Sequence, residues 1–344
     1  MSPTVIQMDP ADRRWLAFLE SRPEADIFHH PAWLTAIAEC YGFRCFVVAL
    51  EQGEAIVAGL PVMEVRGSLR GHRLVSLPFT DRCRPLGDPV WLPDLLDALD
   101  RERAARGVAR AEIAWLLDER PGLYRGSPMW LHETPLDADI TGLEARMHRT
   151  RVRQPIEHAR RAGVAVARAA TPGALETFYD LHLATRQRQG VPVQPRRFFR
   201  LVAERLLAPG HGFVSIASYN GRPVAGALFL IWNGRIVFKY GASQPKHWDV
   251  SPNHALLWDA MVWGARSGYR VFDWGKTGGD QESLREFKRA WGTVEHEAAL
   301  MVMSDHHPGS HESGLFHRVA GGIVRHSPKW VCRSVGEIFY GRLA

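Results

Sequence analysis

The stretch Gly212–Ser243, GFVSIASYNGRPVAGALFLIWNGRIVFKYGAS, reads as three β-strands joined at Asn220-Gly221 and Asn233-Gly234. Asn-Gly suits a two-residue hairpin because both turn positions take positive φ. An antiparallel meander is expected, and its neighbours decide what domain it belongs to. Downstream, the apolar spacing predicts a helix over NHALLWDAMVWGARSGY and then a strand, RVFDWG. Upstream, a strand VAVARA precedes two helical runs, ALETFYDLHLATRQRQG and RRFFRLVAERLL. The sum is an α/β (α+β) domain: a mixed, mainly antiparallel central sheet flanked by helices.

From Phe272 to Gly292 the chain runs FDWGKTGGDQESLREFKRAWG, an apolar strand joined to a charged helix through Gly275, Gly278 and Gly279. Ser283 is expected to cap the helix, which closes on Gly292. Asp273, Lys276 and Lys288 therefore fall in one strand, loop and helix unit. The letters GKT invite a phosphate-loop reading, but that pattern needs a glycine where Arg270 stands. Arg160–Ala165 matches R-x-x-G-x-A, the letters that bind coenzyme A pyrophosphate. There a helix ends and a strand begins, the reverse of what places helix amides on phosphate. Gly-x-Ser-x-Gly, H-E-x-x-H and G-x-G-x-x-G are all absent, which disfavours elbow hydrolases, zinc proteases and dinucleotide enzymes.

The N-terminal half follows a similar order. After a polar start come a helix, FHHPAWLTAIAECYG, a hairpin, FRCFVVALEQGEAIVAGLPVMEV, and a strand, HRLVSLPF. A loop, TDRCRPLGDP, a helix, LPDLLDALDRERAARG, and a strand, ARAEIAWLL, complete it. No letter repeat accompanies the shared order, so duplication is suggested by pattern alone. Between the halves, GLEARMHRTRVRQPIEHARRAG is basic and helical, with a kink expected at Pro155. The expected boundaries are 1–145, 146–303 and 304–344, the last a linker and amphipathic helical tail packing on the first domain.

With 344 residues, 46% hydrophobic and 23% charged, the composition is that of a globular protein of two domains. The net charge of +6 and pI near 9.3 favour anionic partners, though an arginine-rich composition alone produces the same balance. Cys40, Cys45, Cys83 and Cys332 lack metal-binding spacing and read as free thiols in a reducing compartment. The start MSPTVIQMDPADRRW lacks a signal-peptide pattern, and no run reaches the roughly eighteen apolar residues of a membrane helix. A cytoplasmic protein is expected. His306, His307 and His311 read as a polar linker rather than a metal site. The tail, LFHRVAGGIVRHSPKWVCRSVGEIFYGRLA, offers a cationic face that would allow peripheral contact with anionic lipid at the inner membrane face.

Taken in order, FHHPAWLTAIAECYG, GLPVMEVRG, SLPFTDRCRPLG, TRQRQGVPVQPRRFF, the meander, SPNHALLWDAMVWGARSGYRVFDWGKT and LREFKRAWG resemble the Fem-type (FemAB-like) proteins of the GNAT acyltransferase superfamily. The resemblance covers most of Phe28 to Gly292. It implies two tandem GNAT-like domains and an amide-forming aminoacyltransferase. Such an enzyme takes an amino acid from aminoacyl-tRNA, with no cofactor, and gives it to a small amine or peptide acceptor. The acceptor would be a natural product, or a cell-envelope or polysaccharide precursor. The long helical arm of the cell-wall enzymes is missing, which puts peptidoglycan in doubt. An N-acyltransferase using acyl-CoA or a carrier protein, and a non-catalytic envelope-assembly protein, are the alternatives.

Amine attack on an ester needs alignment and a cation for the developing oxyanion. Lys288 is the first candidate for that cation. Asp273 is a candidate proton acceptor or, alternatively, a strand-end cap. Lys239, unusual among apolar neighbours, and Tyr240 complete the catalytic candidates. Asp81, Arg82, Arg186, Lys276 and Thr277 are substrate-binding candidates. Arg149, Arg151, Arg153 and Arg160 would follow the phosphates of a tRNA acceptor stem or of a nucleotide-linked acceptor, or form a solvated helix face.

Overall fold

A computed structural model describes residues 3–67, 71–307, 332–333 and 340–343. Internal contacts divide the chain into two compact units, one holding residues up to Met129 and the described residues from Glu297 to His307, the other Trp130–His296. The sequence reading cuts at 145/146 and 303/304; the contacts cut at 129/130 and 296/297. Both cuts by contact fall inside long strands, which hydrophobic pattern alone does not subdivide.

The first unit contains β1 (Thr4–Met8), α1 (Arg13–Glu20), α2 (Pro31–Tyr41), β2 (Arg44–Gln52), β3 (Ala55–Gly67), β4 (Gly71–Ser76), the two-residue β5 (Leu86–Gly87), α3 (Leu92–Ala105), β6 (Arg110–Ile113) and the start of β7 (Leu123–Pro135). Its strands lie in the order β1-β2-β3-β4-β6, antiparallel except for the final parallel pair. The core closes on Trp15, Phe28 and Trp33, each fully buried. Trp15 lies so close to β3 that a Cβ on Gly59 would meet its ring at 2.6 Å, hence the glycine. β1 and α1 are absent from the sequence reading, although Asp12 caps α1 by accepting the Arg14 N–H.

The second unit contains the end of β7, α4 (Ile140–Ala145), α5 (Gln154–Arg161), β8 (Ala165–Ala169), α6 (Pro172–Gln189), α7 (Arg196–Val202), β9 (Gly212–Tyr219), β10 (Arg222–Trp232), β11 (Arg235–Ser243), α8 (Pro252–Arg266), β12 (Val271–Gly278), α9 (Glu282–Arg289) and the start of β13 (Val294–Ser304). Its strands follow the order β8-β9-β10-β11-β12, again antiparallel until a final parallel pair. Strand, two helices, meander, helix and parallel strand thus occur twice, as two tandem GNAT-like folds require. Asn220, Gly221, Asn233 and Gly234 all have φ between 49° and 73°, as their hairpin turns demand.

The kink expected at Pro155 takes another form. Arg149–Arg153 is a π-turn running into α5, where Pro155 occupies a first-turn position. Proline has no N–H to give the carbonyl of Arg151, and His254 Nε2 donates to that oxygen instead, at 3.1 Å. The core of this unit gathers Phe229, Phe272, Trp274 and Trp291.

Of the C-terminal tail, the two amphipathic helices and His311 lie largely outside the described residues. No two of the four cysteines are bridged. Among the described residues no helix is long and apolar enough to cross a membrane, and no cluster of His, Cys, Asp and Glu is arranged to hold a metal ion.

Candidate active site

The site is built where β11 and β12 part. Their parallel ladder pairs Arg235–Val237 with Val271–Asp273, after which β11 continues to Ser243 and β12 to Gly278. β11 is also bulged: Leu228 faces Tyr240 and Phe229 faces Phe238, leaving Lys239 as the extra residue. Bulges re-aim side chains and concentrate beside functional sites. Beside this irregularity lies a cavity of about 490 Å³, with Phe238, Ala242, Ser243, Trp248, Leu256 and Phe287 in its walls.

The FDWGKT segment is strand for longer than its glycines suggest, since β12 runs through Gly278. Gly275 makes this possible by taking φ +68°, open to glycine without strain. The Asp273 carboxylate fixes that turn: its Oδ1 accepts the Gly275 N–H at 2.8 Å, and its Oδ2 lies 4.0 Å from Arg235 Nη1. Buried to 1% exposure, Asp273 has the geometry of the cap weighed as its alternative.

Ser283 is not the cap of α9. Gln281 occupies that position without a side-chain cap bond, because its Oε1 accepts the Gly278 N–H at 3.1 Å. The helix is held from outside. Arg285 and Arg289 both donate to Glu295, at 2.9 and 2.7 Å, and Trp274 and Trp291 pack 5.2 Å apart beneath it. Trp274 donates to Thr134 Oγ1, which donates to the carbonyl of Trp291, tying β12, β7 and the end of α9 together.

That scaffold turns Lys288 inward. At 5% exposure its Nζ donates to the carbonyls of Gly275 and Lys276, at 3.2 and 3.0 Å. A buried lysine is rare, and a pair of backbone dipoles is what such a cation needs. Lys276 is exposed, whereas Thr277 is buried with its hydroxyl making no hydrogen bond.

The sequence reading misses His132, fully buried on β7, with neither ring nitrogen in a hydrogen bond. Burial, and then the Lys288 charge, push its pKa down to about 4, so it is neutral near pH 7. Glu295 lies 3.4 Å from its Nδ1. Burial pushes the Glu295 carboxyl up, but the bonds from Arg285 and Arg289 outweigh it and hold it at about 2. Only a single histidine in an apolar strand would have marked the position, and that signal is common.

The other expected residues are dispersed. Tyr240 packs among the rings of His182, Phe198 and Phe199, and Lys239 Nζ sits 5.4 Å from its ring. Arg186 donates to the carbonyl of Pro192, bracing the turn after α6. In the first unit Arg82 is buried and donates to Asp26 at 2.9 Å, while Asp81 beside it is partly exposed. Arg149, Arg151 and Arg160 are exposed and Arg153 partly so. Arg151 joins Arg146, His148, Glu286 and Arg289 around a groove of about 360 Å³, and Arg160 pairs locally with Glu157. The R-x-x-G-x-A letters bridge the end of α5 and the start of β8, helix before strand as the sequence indicated.

Residues 146–289 match the family model described as an acetyltransferase (GNAT) domain. Over 80 residues, 22% of this chain, it is 31% identical to the lipid II:glycine glycyltransferase of Staphylococcus haemolyticus and 30% identical to that of Staphylococcus aureus. The chain spans about a fifth of the length of these curated relatives, 19% in each case. Among solved structures it is similar to FemX, with TM-score 0.68 at 16% identity over 86% of this chain and 96% of that one. It is also similar to a tandem GNAT protein of the clavulanic acid pathway, with TM-score 0.55 at 11% identity over 89% and 99% of the two chains. Residues 146–289 are thus a GNAT-type domain, within a chain whose fold is that of tandem GNAT proteins. Over that shared stretch and in its fold, the chain is similar to Fem-type proteins.

Proposed function

We propose that this protein forms amide bonds, moving an amino acid from aminoacyl-tRNA to an amine on a small-molecule, peptide, cell-envelope or polysaccharide precursor. The supporting observation is Lys288, an ammonium buried beside the parting of β11 and β12 and held by two carbonyls. The neutral acceptor amine attacks the ester carbonyl carbon, forming a C–N bond. As the tetrahedral centre collapses, the bond to the ribose oxygen breaks and the proton lost by the amine passes to that leaving oxygen. Lys288 stabilises the oxyanion between those events, where fixed charge is most effective. No covalent enzyme intermediate is needed.

The staphylococcal relatives are named for glycine transfer to lipid II, which supports an aminoacyl donor and an envelope precursor as acceptor. The groove of Arg146, Arg151 and Arg289 supports a cationic track for RNA phosphates, with Arg151 paired to the exposed carboxylate of Glu286, which a phosphate can replace. The turn between β11 and α8 is Gln244–Ser251, with prolyl and tryptophanyl residues where a coenzyme A loop would carry glycines. Purified protein incubated with charged tRNA, or with acyl-CoA, and a panel of amines separates the readings. Acceptor-dependent deacylation of tRNA with product of the expected mass is the predicted outcome; consumption of acyl-CoA alone would refute it.

A further inference from the structure

Among the described residues, the large hydrophobic side chains that stand exposed are Val5, Val90, Trp248, Leu284 and Val294, and Trp248 is the aromatic one, at 52% exposure. It sits on the 3-10 turn Pro245–Val250 between β11 and α8, in the wall of the 490 Å³ cavity. The ring is not loose. Its Nε1–H donates to Ser243 Oγ at 2.9 Å, and Asn253 Nδ2 donates to the same oxygen at 3.2 Å. Arg188, also lining the cavity, donates to the Ser243 carbonyl at 3.1 Å and places its guanidinium 5.4 Å from the indole centroid. An indole fixed in plane, half in water and flanked by a cation, is a surface for a planar ring.

The wall of the same cavity also carries Phe287, the residue before Lys288. Trp248 and the neighbour of Lys288 thus line one cavity of about 490 Å³, which favours a ligand that is short between its ring and its reacting carbon. An adenosine esterified on its own ribose meets this requirement, with base and acyl group one sugar apart. In acyl-CoA the adenine is separated from the thioester by a diphosphate and the whole pantetheine arm.

We propose that Trp248, supported by Arg188, stacks on the 3′-terminal adenine of the charged tRNA and so aims its aminoacyl ester into the cavity. This rests on the aminoacyl-tRNA reading above.

The test uses full-length protein and RNA hairpins copying an acceptor stem, ending either in CCA or shortened to CC, with binding measured for wild type, Trp248→Phe and Trp248→Ala. Wild type is expected to prefer the CCA end by about tenfold, the size of one base–aromatic stack. Trp248→Phe, which loses the indole N–H but keeps a ring, should retain most of that preference. Trp248→Ala should abolish it, leaving affinity for the CC hairpin unchanged. A full preference in Trp248→Ala, or none in wild type, overturns the proposal. A second arm compares coenzyme A with pantetheine. If RNA is not bound but wild type prefers coenzyme A and Trp248→Ala does not, the tRNA donor is wrong and the proposed aim of the ester falls with it. Thermal melting confirms that each variant is folded.

Discussion

Each unit ends its meander in a short parallel pair, and the two pairs are finished differently. In the first unit β4 and β6 pair over Leu74–Ser76 and Ala111–Ile113, and the gap beyond is stitched shut. Ser76 Oγ accepts the Ala114 N–H at 2.9 Å and donates to the Cys83 carbonyl, while the Cys83 N–H reaches Ala114 at 3.0 Å. The loop that fills the gap bends through Leu77 and Phe79 at φ 70° and 60°, conformations costing about 1–3 kcal/mol each. Buried polar bonds offset that strain: Arg82 and His29 to Asp26, His29 to the Arg84 carbonyl, and Trp33 to Thr80. In the second unit β11 runs on past Val237 along a cavity, while β12 past Asp273 gives its Gly275 carbonyl to Lys288 and leaves the Thr277 hydroxyl unbonded. A parallel pair that diverges offers a cleft in either copy; side chains decide whether it becomes core or site.

Four substitutions press on this contrast. Lys288→Ala should lower turnover by about 10²–10³ while the protein stays folded, the usual loss for one oxyanion-stabilising group. Undiminished turnover would remove Lys288 from the chemistry. Asp26→Asn breaks a buried pair in the stitched unit and should cost about 3–5 kcal/mol in denaturant unfolding. Its turnover at permissive temperature should hardly move; a selective loss of turnover would make the first unit part of the site. Ala242→Leu places extra carbon in the open cavity and should raise the donor KM about tenfold, with a smaller change in melting temperature.

The smallest effect concerns pH. Burial holds His182 at about 3 and His132 at about 4 when folded, against 6.5 when unfolded. Below pH 6.5 the unfolded chain therefore takes up protons that the folded chain refuses, and stability falls as pH drops. His182→Gln should flatten the fall between pH 6.5 and 4.5, read from urea midpoints, and leave the share due to His132. An unchanged slope would contradict the burial of a neutral imidazole there.

Much of the second unit could be read in the chain itself. Asn-Gly turns and apolar alternation marked its meander, and the order of motifs led to the tandem fold. β1 escaped notice because five residues at an edge, mostly exposed, carry little pattern. The site was less legible. Lys288 sits in a recognisable FKRAWG frame, but Ser283 has capping chemistry that Gln281 pre-empts, and Asp273 is spent on a backbone turn. Trp248 and His132 owe their interest to surroundings, one to exposure and the other to burial, and neither quantity is written locally. Arg82 looked available in a polar loop because Asp26, its partner, lies far away in sequence.

Hydrogen–deuterium exchange with a charged-tRNA analogue, its ester replaced by a hydrolysis-resistant amide, reports directly on which gap receives the donor. Slowed exchange at residues 238–257 and 275–290, with residues 76–84 unchanged, is the expected result. Protection confined to residues 76–84 would place the donor in the first unit and contradict the account.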